Sequence, residues 1–563
     1  MPERRKPKAL DPVSLEILWT RLIAVTNEQA AALMRTSFTP IVREVGDLSA
    51  AVFDVRGRML AQAITGTAGH INALATGMRH FLVAHPAPSL RPGDVLITND
   101  PWMTSGQLND ISVVTPVFAG DRLVGFFGNC CHAIDIGGRG LSADASEVFE
   151  EGLQIPITKL YRGGEPNQEL FRLLRANVRA PDEVLGDLHA QVAGNQVGAD
   201  RLLHYLDDFH LLDLEDLGDE IVGRSERAMR QAIELVPDGD YHQVCFTDGF
   251  SEPVRVEVTL RVRGDEIEAD FAGSSAQVER AFNVVLNYTA AYTNYALKCA
   301  LCPDVPHNEG SFHPVHVTAP LGSIFNPRFP AAVAGRQIAG HFVPHAVFGA
   351  LAGVLPDRVI AEGAGGIWLT TVRGRGHAPS EDRFVSVFFS AGGTGARPAK
   401  DGLSTTAFPS GVATAPVEVI ETTGPLVIRR KELRRDSGGP GKQRGGLGQT
   451  IEVQVRSPSP SVVSVLSDRF QHAALGYAGG GSGARSRFST STGARLDPKL
   501  SLDLPAGARF TLELPGGGGF GAPRERERAL VEEDLREGLI SRRAAREAYG
   551  LEPRRGRGRR RGD

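Results

Sequence analysis

Asp110 and His132 stand 22 residues apart, at the two ends of a pattern that folds back on itself. Between them, Ile111–Phe118 is apolar and β-branched, Leu123–Cys130 is apolar and aromatic, and Gly120-Asp121 separates the two runs. Two such runs about a Gly-Asp pair predict an antiparallel hairpin. With a two-residue turn at 120–121, cross-strand partners have numbers summing to 241; a three-residue loop shifts that sum by about one. Asp110 then faces Cys131 in the first register and His132 in the second, where both side chains share one face. A carboxylate and an imidazole brought together in this way form half of a site for a hard-to-borderline divalent cation. Asp135, three residues past His132 and ahead of Gly137-Gly138, is placed to add an oxygen ligand or to orient the imidazole. The alternative is structural: Asp110 caps a turn, and His132 ends a strand with no ligand between them.

Other chemistry-bearing patterns are weaker. Gly516, Gly518 and Gly521 satisfy GxGxxG, but no further strand follows in the 42 residues after them to complete a βαβ unit, so close backbone packing is expected there. No GxxxxGK[ST] occurs, so phosphate-cradling Walker chemistry is not supplied, and no GxSxG marks a serine nucleophile. His341 and His345 are spaced i, i+4, but Pro344 and the apolar surroundings predict a buried helix start rather than a metal site. Five cysteines include one CxxC, Cys299 and Cys302, without a second ligand pair for zinc; all five are expected to be buried thiols. Arg43, Arg175, Arg179 and Arg336 are equally suited to structural ion pairs and to anchoring a substrate carboxylate.

The elements that must position these groups begin with Asp11 and Pro12, which cap and open a helix carrying Leu15, Leu18, Leu22, Ile23, Leu33 and Met34 as far as Ser37–Pro40. Ala50–Phe53 reads as a strand, 70–85 as a helix, and Val95–Thr98 as a strand after the Pro92-Gly93-Asp94 turn. Residues 200–235 are helical and acidic, and 241–272 alternate in the strand manner. Helices are expected at 284–300 and 343–354, strands near 384–390, and strands separated by glycine clusters over 436–520. A charged helical tail spans 523–548. The expected fold is α+β and multidomain, with mixed helices, mainly antiparallel sheets and a β-rich C-terminal section. Its parts are a basic disordered arm at 1–10, an α+β domain with the hairpin at 11–240, a middle α+β domain at 241–435, a Gly-rich β section at 436–522, the helical tail at 523–550 and an Arg-rich disordered tail at 551–563.

Charge is segregated along the 563 residues: the first ten carry +3, the last ten +5, and residues 11–553 carry −12 within a net −4. An acidic body argues against a nucleic-acid-binding face, which needs clustered Lys and Arg, and the basic ends read as solvated tails. Gly and Pro together make 18% of the chain against a usual sum of about 12%, which predicts many turns and few long helices. The basic start is followed by no apolar segment of a signal peptide. The apolar stretch Ile338–Leu355 is broken by His341, Pro344 and His345, against a membrane span. The odd cysteine count adds to the expectation of a reducing cytoplasm.

Taken together, the ordered motifs resemble the hydantoinase B / 5-oxoprolinase family, which includes N-methylhydantoinase B subunits and relatives of acetone carboxylase-type large subunits. The resemblance runs through DPVSLEILWTRL (11–22), RTSFTPIVREVGDLSAAVFD (35–54), GDVLITNDPW (93–102), LNDISVVTPVF (108–118), CHAIDIGG (131–138), EEGLQIPITKLYRGGEPN (150–167), DFAGSSAQ (270–277), RRDSGGPGKQRGGLG (434–448) and PGGGGFGAP (515–523). It implies a cytoplasmic, metal-containing subunit that works in a hetero-oligomer with a hydantoinase A-like, ATP- and Mg-binding partner. The resemblance further implies that the partner phosphorylates a carbonyl oxygen of a small-molecule substrate and that this subunit completes the opening of a hydantoin, 5-oxoproline or related lactam. The metal implied is zinc, manganese or iron, with ligands at Asp110 and His132 and, by position in REVGDLSA, at Asp47. The family has a histidine three residues before the first of these; here Gln107 stands in its place, and a neutral amide oxygen is a poorer ligand than imidazole. Two alternatives accompany this expectation: a subunit of an ATP-dependent acetone- or acetophenone-type carboxylase, and a non-catalytic subunit that supports its partner.

Overall fold

The computed structural model describes residues 11–64, 67–375, 383–493, 499 and 501–551, so the first ten residues and the Arg-rich end lie outside the described residues. Asp11 caps the first helix as its place before Pro12 predicts: its carboxylate accepts from the N–H groups of Val13 and Ser14, both at 3.1 Å, and opens α1 (Pro12–Thr36). In chain order follow α2 (Pro40–Arg43), β1 (Leu48–Phe53), β2 (Met59–Gln62), α3 (Ala68–Ala84), β3 (Val95–Thr98), β4 (Asp110–Ala119), β5 (Arg122–His132), β6 (Thr158–Arg162), β7 (Glu165–Pro166), α4 (Gln168–Asn177), α5 (Pro181–Asp208) and α6 (Glu215–Glu234). The seven strands form one sheet in the order β2-β1-β5-β4-β3-β6-β7, antiparallel at every pair.

Both faces of this sheet are covered, and adjacent residues of β5 show it. Phe127 belongs to a core with Trp19 and Leu22 of α1 and Leu202 and Leu206 of α5. Phe126 turns the other way, against Leu74, Met78 and Phe81 of α3, as the two-residue period of a strand requires. Strands β4 and β5 are therefore buried almost continuously instead of alternating. Each such fully buried large side chain contributes about 1.5–3 kcal/mol.

The hairpin register resolves the ambiguity left by its turn. Next to the turn, Ala119 pairs with Arg122 and Phe118 with Leu123, the two-residue register. A bulge between Val117 and Phe118 then shifts the pairing by one, and from there Asp110 falls opposite His132. It is the bulge, not a longer loop, that brings the carboxylate and the imidazole onto one face.

A buried amide network locks α1 and α5 over these two strands. Asn195 Oδ1 accepts from Gln29 Nε2 and Asn129 Nδ2, both at 2.7 Å, and its Nδ2 donates to the Val113 carbonyl at 3.2 Å. Gln29 also reaches the Gly128 carbonyl, and Gln191 donates to the Ile111 carbonyl.

Beyond residue 238 come β8 (Gly239–Thr247), β9 (Val254–Arg263), β10 (Glu266–Asp270), α7 (Leu286–Leu301) and β11 (Val315–Thr318), with the sheet order β11-β10-β9-β8 and a parallel β10–β11 pair. Then follow α8 (Gln337–Gly340), α9 (Val343–Leu351), β12 (Trp368–Arg375), β13 (Arg383–Ser390), α10 (Val417–Thr422), β14 (Leu426–Leu433), β15 (Gln449–Val455), β16 (Ser461–Leu466), β17 (Arg487–Thr490), β18 (Ser501–Leu504), β19 (Arg509–Glu513), α11 (Arg528–Arg536) and α12 (Arg542–Glu547). They form two four-stranded sheets, β13-β12-β16-β18 and β14-β15-β19-β17. The α+β, mainly antiparallel expectation holds. So does the packing expectation for the GxGxxG run: a Cβ on Gly516 would sit 1.9 Å from the Ser437 carbonyl oxygen, and one on Gly517 1.9 Å from that of Thr394. The cysteine expectation holds in part. Cys130, Cys131 and Cys245 are buried, but Cys302 is half-buried and Cys299 is exposed, because it lies in the last turn of α7 at the wall of a large cavity. Among the described residues, no helix is long and apolar enough to cross a membrane.

Because Asn195 joins both helices to both strands, Asn195→Ala is expected to cost about 1–3 kcal/mol, read as a lower calorimetric midpoint. An unchanged midpoint would show that the network does not clamp the helices.

Candidate active site

Three adjacent strands place three site residues in one row. Asp110 opens β4 opposite His132, which ends β5. The β1–β5 register pairs Leu48 with Cys131, so Asp47, just ahead of β1, falls beside His132; the His132 N–H donates to the Asp47 carbonyl at 3.2 Å. This is the face covered by α3, whose first turn brings His70 over the row. The loop before β4 contributes Gln107, and Arg336 arrives from 226 residues away, at the N-terminus of α8.

Asp110 is the hub, with no solvent exposure. Its Oδ1 lies 2.9 Å from His132 Nδ1 and accepts from Gln107 Nε2 at 2.8 Å. Its Oδ2 lies 3.0 Å from His70 Nε2 and accepts from Arg336 Nη2. Asp47 stands at the edge: Oδ1 accepts from Thr67 Oγ1 at 3.0 Å and lies 3.7 Å from His70 Nδ1, and Oδ2 is 4.0 Å from His132 Nδ1. Burial disfavours a charged Asp110, yet Arg336, His70 and His132 outweigh it and hold the carboxyl well below its usual range. Burial likewise opposes a charged His70, and Asp110 and Asp47 overcome it, raising the imidazole.

Arg336 is 3% exposed and tightly seated. Its Nε donates to the Ser105 carbonyl at 2.6 Å, and its guanidinium carbon lies 4.1 Å from the Tyr288 ring centroid. Gly106, at φ +85°, makes the room: a Cβ there would be 2.8 Å from Arg336 Cδ. Behind it, the hydroxyls of Tyr288 and Tyr292 lie 3.3 and 3.1 Å from His341 Nε2. Burial and Arg336 press His341 down to about 3, so it is neutral.

A cavity of about 30 Å³ opens among these residues, lined by Asp47, His70, Gln107, His132, Arg336 and His341 with the Phe389 ring and others; it has room for one or two waters. Five buried polar atoms of the lining have no protein partner: His132 Nε2, His70 Nδ1, Gln107 Oε1, Gln337 Oε1 and Ser410 Oγ. Buried polar atoms left unpaired at a cavity are the places where a water or a substrate group completes the hydrogen bonding.

Of the residues singled out from sequence, Asp110, His132, Asp47 and Gln107 come together. Asp135 does not: it bonds the Arg179 guanidinium at 2.8 Å and the Gly137 N–H at 3.2 Å, away from the imidazole. The four arginines all find carboxylates, Arg43 with Glu44, Arg175 with Asp182, Arg179 with Asp135 and Arg336 with Asp110. His345 is a buried helix residue as expected, whereas His341 lines the cavity. Sequence reasoning missed His70, Tyr288 and Tyr292, which carry no motif. Arg336 was legible in one respect: it is the lone charge in the apolar run 329–356, and a charge there needs a buried partner.

The donor set, as arranged, does not fit a divalent cation. Both Asp110 oxygens are occupied by nitrogen donors, one of them the guanidinium. Gln107 turns its NH₂ end toward Asp110 and His132; turning its oxygen in would set it against the carboxylate. A dication about 4 Å from the guanidinium would meet a repulsion on the order of 8 kcal/mol at an effective dielectric of about 20. Among the described residues, no group of three or more His, Cys, Asp or Glu side chains is arranged to hold a metal ion.

Comparison with known proteins bears on the whole chain. A family model described as hydantoinase B/oxoprolinase matches residues 11–523. The caprolactamase subunit beta of Pseudomonas jessenii is 29% identical over 586 residues, covering 96% of each chain. The crystal structure of the ATP-dependent caprolactamase from the same organism superposes with a TM-score of 0.86 at 27% identity over 97% of both chains. A nucleotide-free acetone carboxylase shares the fold, with a TM-score of 0.85 at 20% identity over 97% of this chain and 80% of that one.

The loop that presents Arg336 is pinned by Glu151, whose Oε1 accepts from the Val333 and Ala334 N–H groups at 2.6 and 2.7 Å. Burial pushes this carboxyl up to about 8 despite those two bonds. Its folded value lies above its unfolded one, so the stability it contributes is full below about pH 4.5 and is lost as pH rises through about 8. Midpoints measured from pH 5 to 9 are expected to fall more steeply for the native chain than for Glu151→Gln; parallel profiles would contradict this.

Proposed function

Since the chain belongs to the hydantoinase B/oxoprolinase family, we propose that it is the B-type subunit of an ATP-dependent assembly that opens a cyclic amide. The observation that carries the reading is the Asp110–His132 pair, with the free Nε2 of His132 turned to a water-sized cavity. A ring amide resists attack because its nitrogen lone pair is delocalised into the carbonyl. Phosphorylation of the carbonyl oxygen by an ATP-binding, A-type partner subunit converts it to an imidate phosphate with an electrophilic carbon. Water then adds to that carbon. His132 Nε2 takes the proton while Asp110 holds Nδ1–H and stabilises the imidazolium. His132 returns that proton to the ring nitrogen; the C–N bond then breaks with its electron pair on nitrogen, which takes the proton of the new hydroxyl as the carbonyl forms, and the acyl phosphate left behind is hydrolysed by a second water. Arg336, at the cavity wall, sets positive charge beside the phosphate. The absence of GxxxxGK[ST] from the sequence accords with phosphoryl transfer on the partner.

The ring itself needs more room than the small cavity offers. A second cavity of about 830 Å³ is walled by the same segments, with Gly46, Ser49, Ala68 and Asn72 on it where Asp47, Thr67 and His70 face the first. That volume is in the range of small-molecule pockets. The protein combined with an A-type subunit should show ATP-dependent opening of at least one of hydantoin, 5-oxoproline and caprolactam. His132→Ala should lower turnover by about 10²–10⁴-fold. Full turnover by His132→Ala, or ring opening without ATP, would overturn the reading.

A further inference from the structure

The resemblance implies a metal at the place where the structure puts a guanidinium. We propose that Arg336 is the resident cation of this centre, standing where a divalent ion would otherwise neutralise Asp110, so that the site works without a metal. The inference takes Asp110 and His132 as the reacting centre of the function proposed above, but it concerns what holds that centre together and is tested without turnover.

Four independent contacts build the guanidinium into the site. Nη2 meets Asp110 Oδ2, Nε meets the Ser105 carbonyl at 2.6 Å, the Tyr288 ring lies beneath it at 4.1 Å, and Gly106 at φ +85° clears the space its side chain fills. A surface arginine swung inward would have none of this cradle. The side chain is 3% exposed, so it has no alternative position in solvent short of opening the fold.

Charge leads to the same conclusion. Asp47 lines the cavity and Asp110 lies directly behind it, bonded to Arg336, and a dication would balance both carboxylates. With Arg336 present, a dication would leave the buried centre with excess positive charge. The Gln107 replacement fits the same scheme. Where the family has an imidazole, whose lone pair can bind a metal, this chain has an amide NH₂ that donates to Asp110 and approaches His132 Nδ1 at 3.0 Å. Arg336 supplies a cation and Gln107 puts a donor at the position where the resemblance implies a ligand, and both serve a metal-free carboxylate. A guanidinium stabilises negative charge and presents N–H donors, but it cannot lower the pKa of a bound water as a metal does. Water activation therefore falls to the imidazole of His132, whose unpartnered Nε2 faces the cavity.

Manganese is the probe of choice, because Cys299 and Cys302 can capture zinc adventitiously while a hard cation avoids thiols. The full-length protein is titrated with Mn²⁺ and the free ion is followed by EPR, alongside Arg336→Gln combined with Gln107→His. The native chain should bind less than about 0.1 equivalent at concentrations where the double variant binds about one. The variant should bind at least about 100-fold more tightly, and its melting midpoint should rise with Mn²⁺ while the native one does not. Stoichiometric Mn²⁺ on the native chain overturns the proposal, and so does a folded double variant that gains no affinity. Arg336→Lys keeps the charge and should exclude Mn²⁺ like the native chain; one equivalent bound there also overturns it. Loss of ring opening with these metal results intact would count against the proposed function alone.

Discussion

A carboxylate with no access to water has to be neutralised by its neighbours, and Asp110 sets this condition at the centre of the protein. Each oxygen receives two nitrogen contacts, and they come from four separate stretches of chain: the loop before β4, the end of β5, the first turn of α3 and the start of α8. Removing any one leaves a buried charge less than fully matched, which is a larger penalty than the net worth of a single contact. The sheet, α3 and the segment before α8 are therefore coupled through one side chain. Satisfying Asp110 fixes how these parts meet.

That coupling explains why the site sits on a sheet buried on both faces. The α1–α5 layer, held by the Asn195 network, secures the backs of β4 and β5. The row Asp47, His132 and Asp110 can then point to the opposite face without the strands slipping. A slip of one residue would turn all three away from α3. The bulge at Val117–Phe118 sets that register permanently. Residues beyond 280 close the remaining side with Arg336, the two tyrosines and His341, so the cavity is made by parts of the chain that share no local pattern.

This division decides what is readable from sequence. The hairpin is legible because turn chemistry and two continuous apolar runs act locally, and pairing arithmetic then brings Asp110 and His132 within one register of each other. The helix opened by Asp11 and Pro12 is legible for the same reason. Asp47 comes only through family resemblance, since nothing local says that β1 pairs with β5. His70 and Tyr288 are invisible: a histidine in a helical first turn and a tyrosine on an apolar helix have many commoner uses. Asp135, three residues past His132, looked placed to add an oxygen ligand or to orient the imidazole, yet Arg179, supplied by the approach to α5, claims it. Cys299 escaped expectation because the end of α7 borders a cavity rather than a core. In each case a long-range partner determined the outcome.

The central claim is that the Asp110–Arg336 contact neutralises the buried centre and that the site is assembled around it. A double-mutant cycle of Asp110→Asn and Arg336→Gln, read by reversible denaturation of the native, single and double variants, measures that contact directly. A coupling of about 2–3 kcal/mol is predicted, with the double variant more stable than the sum of the single losses allows. Losses that add to within about 0.5 kcal/mol would contradict the account.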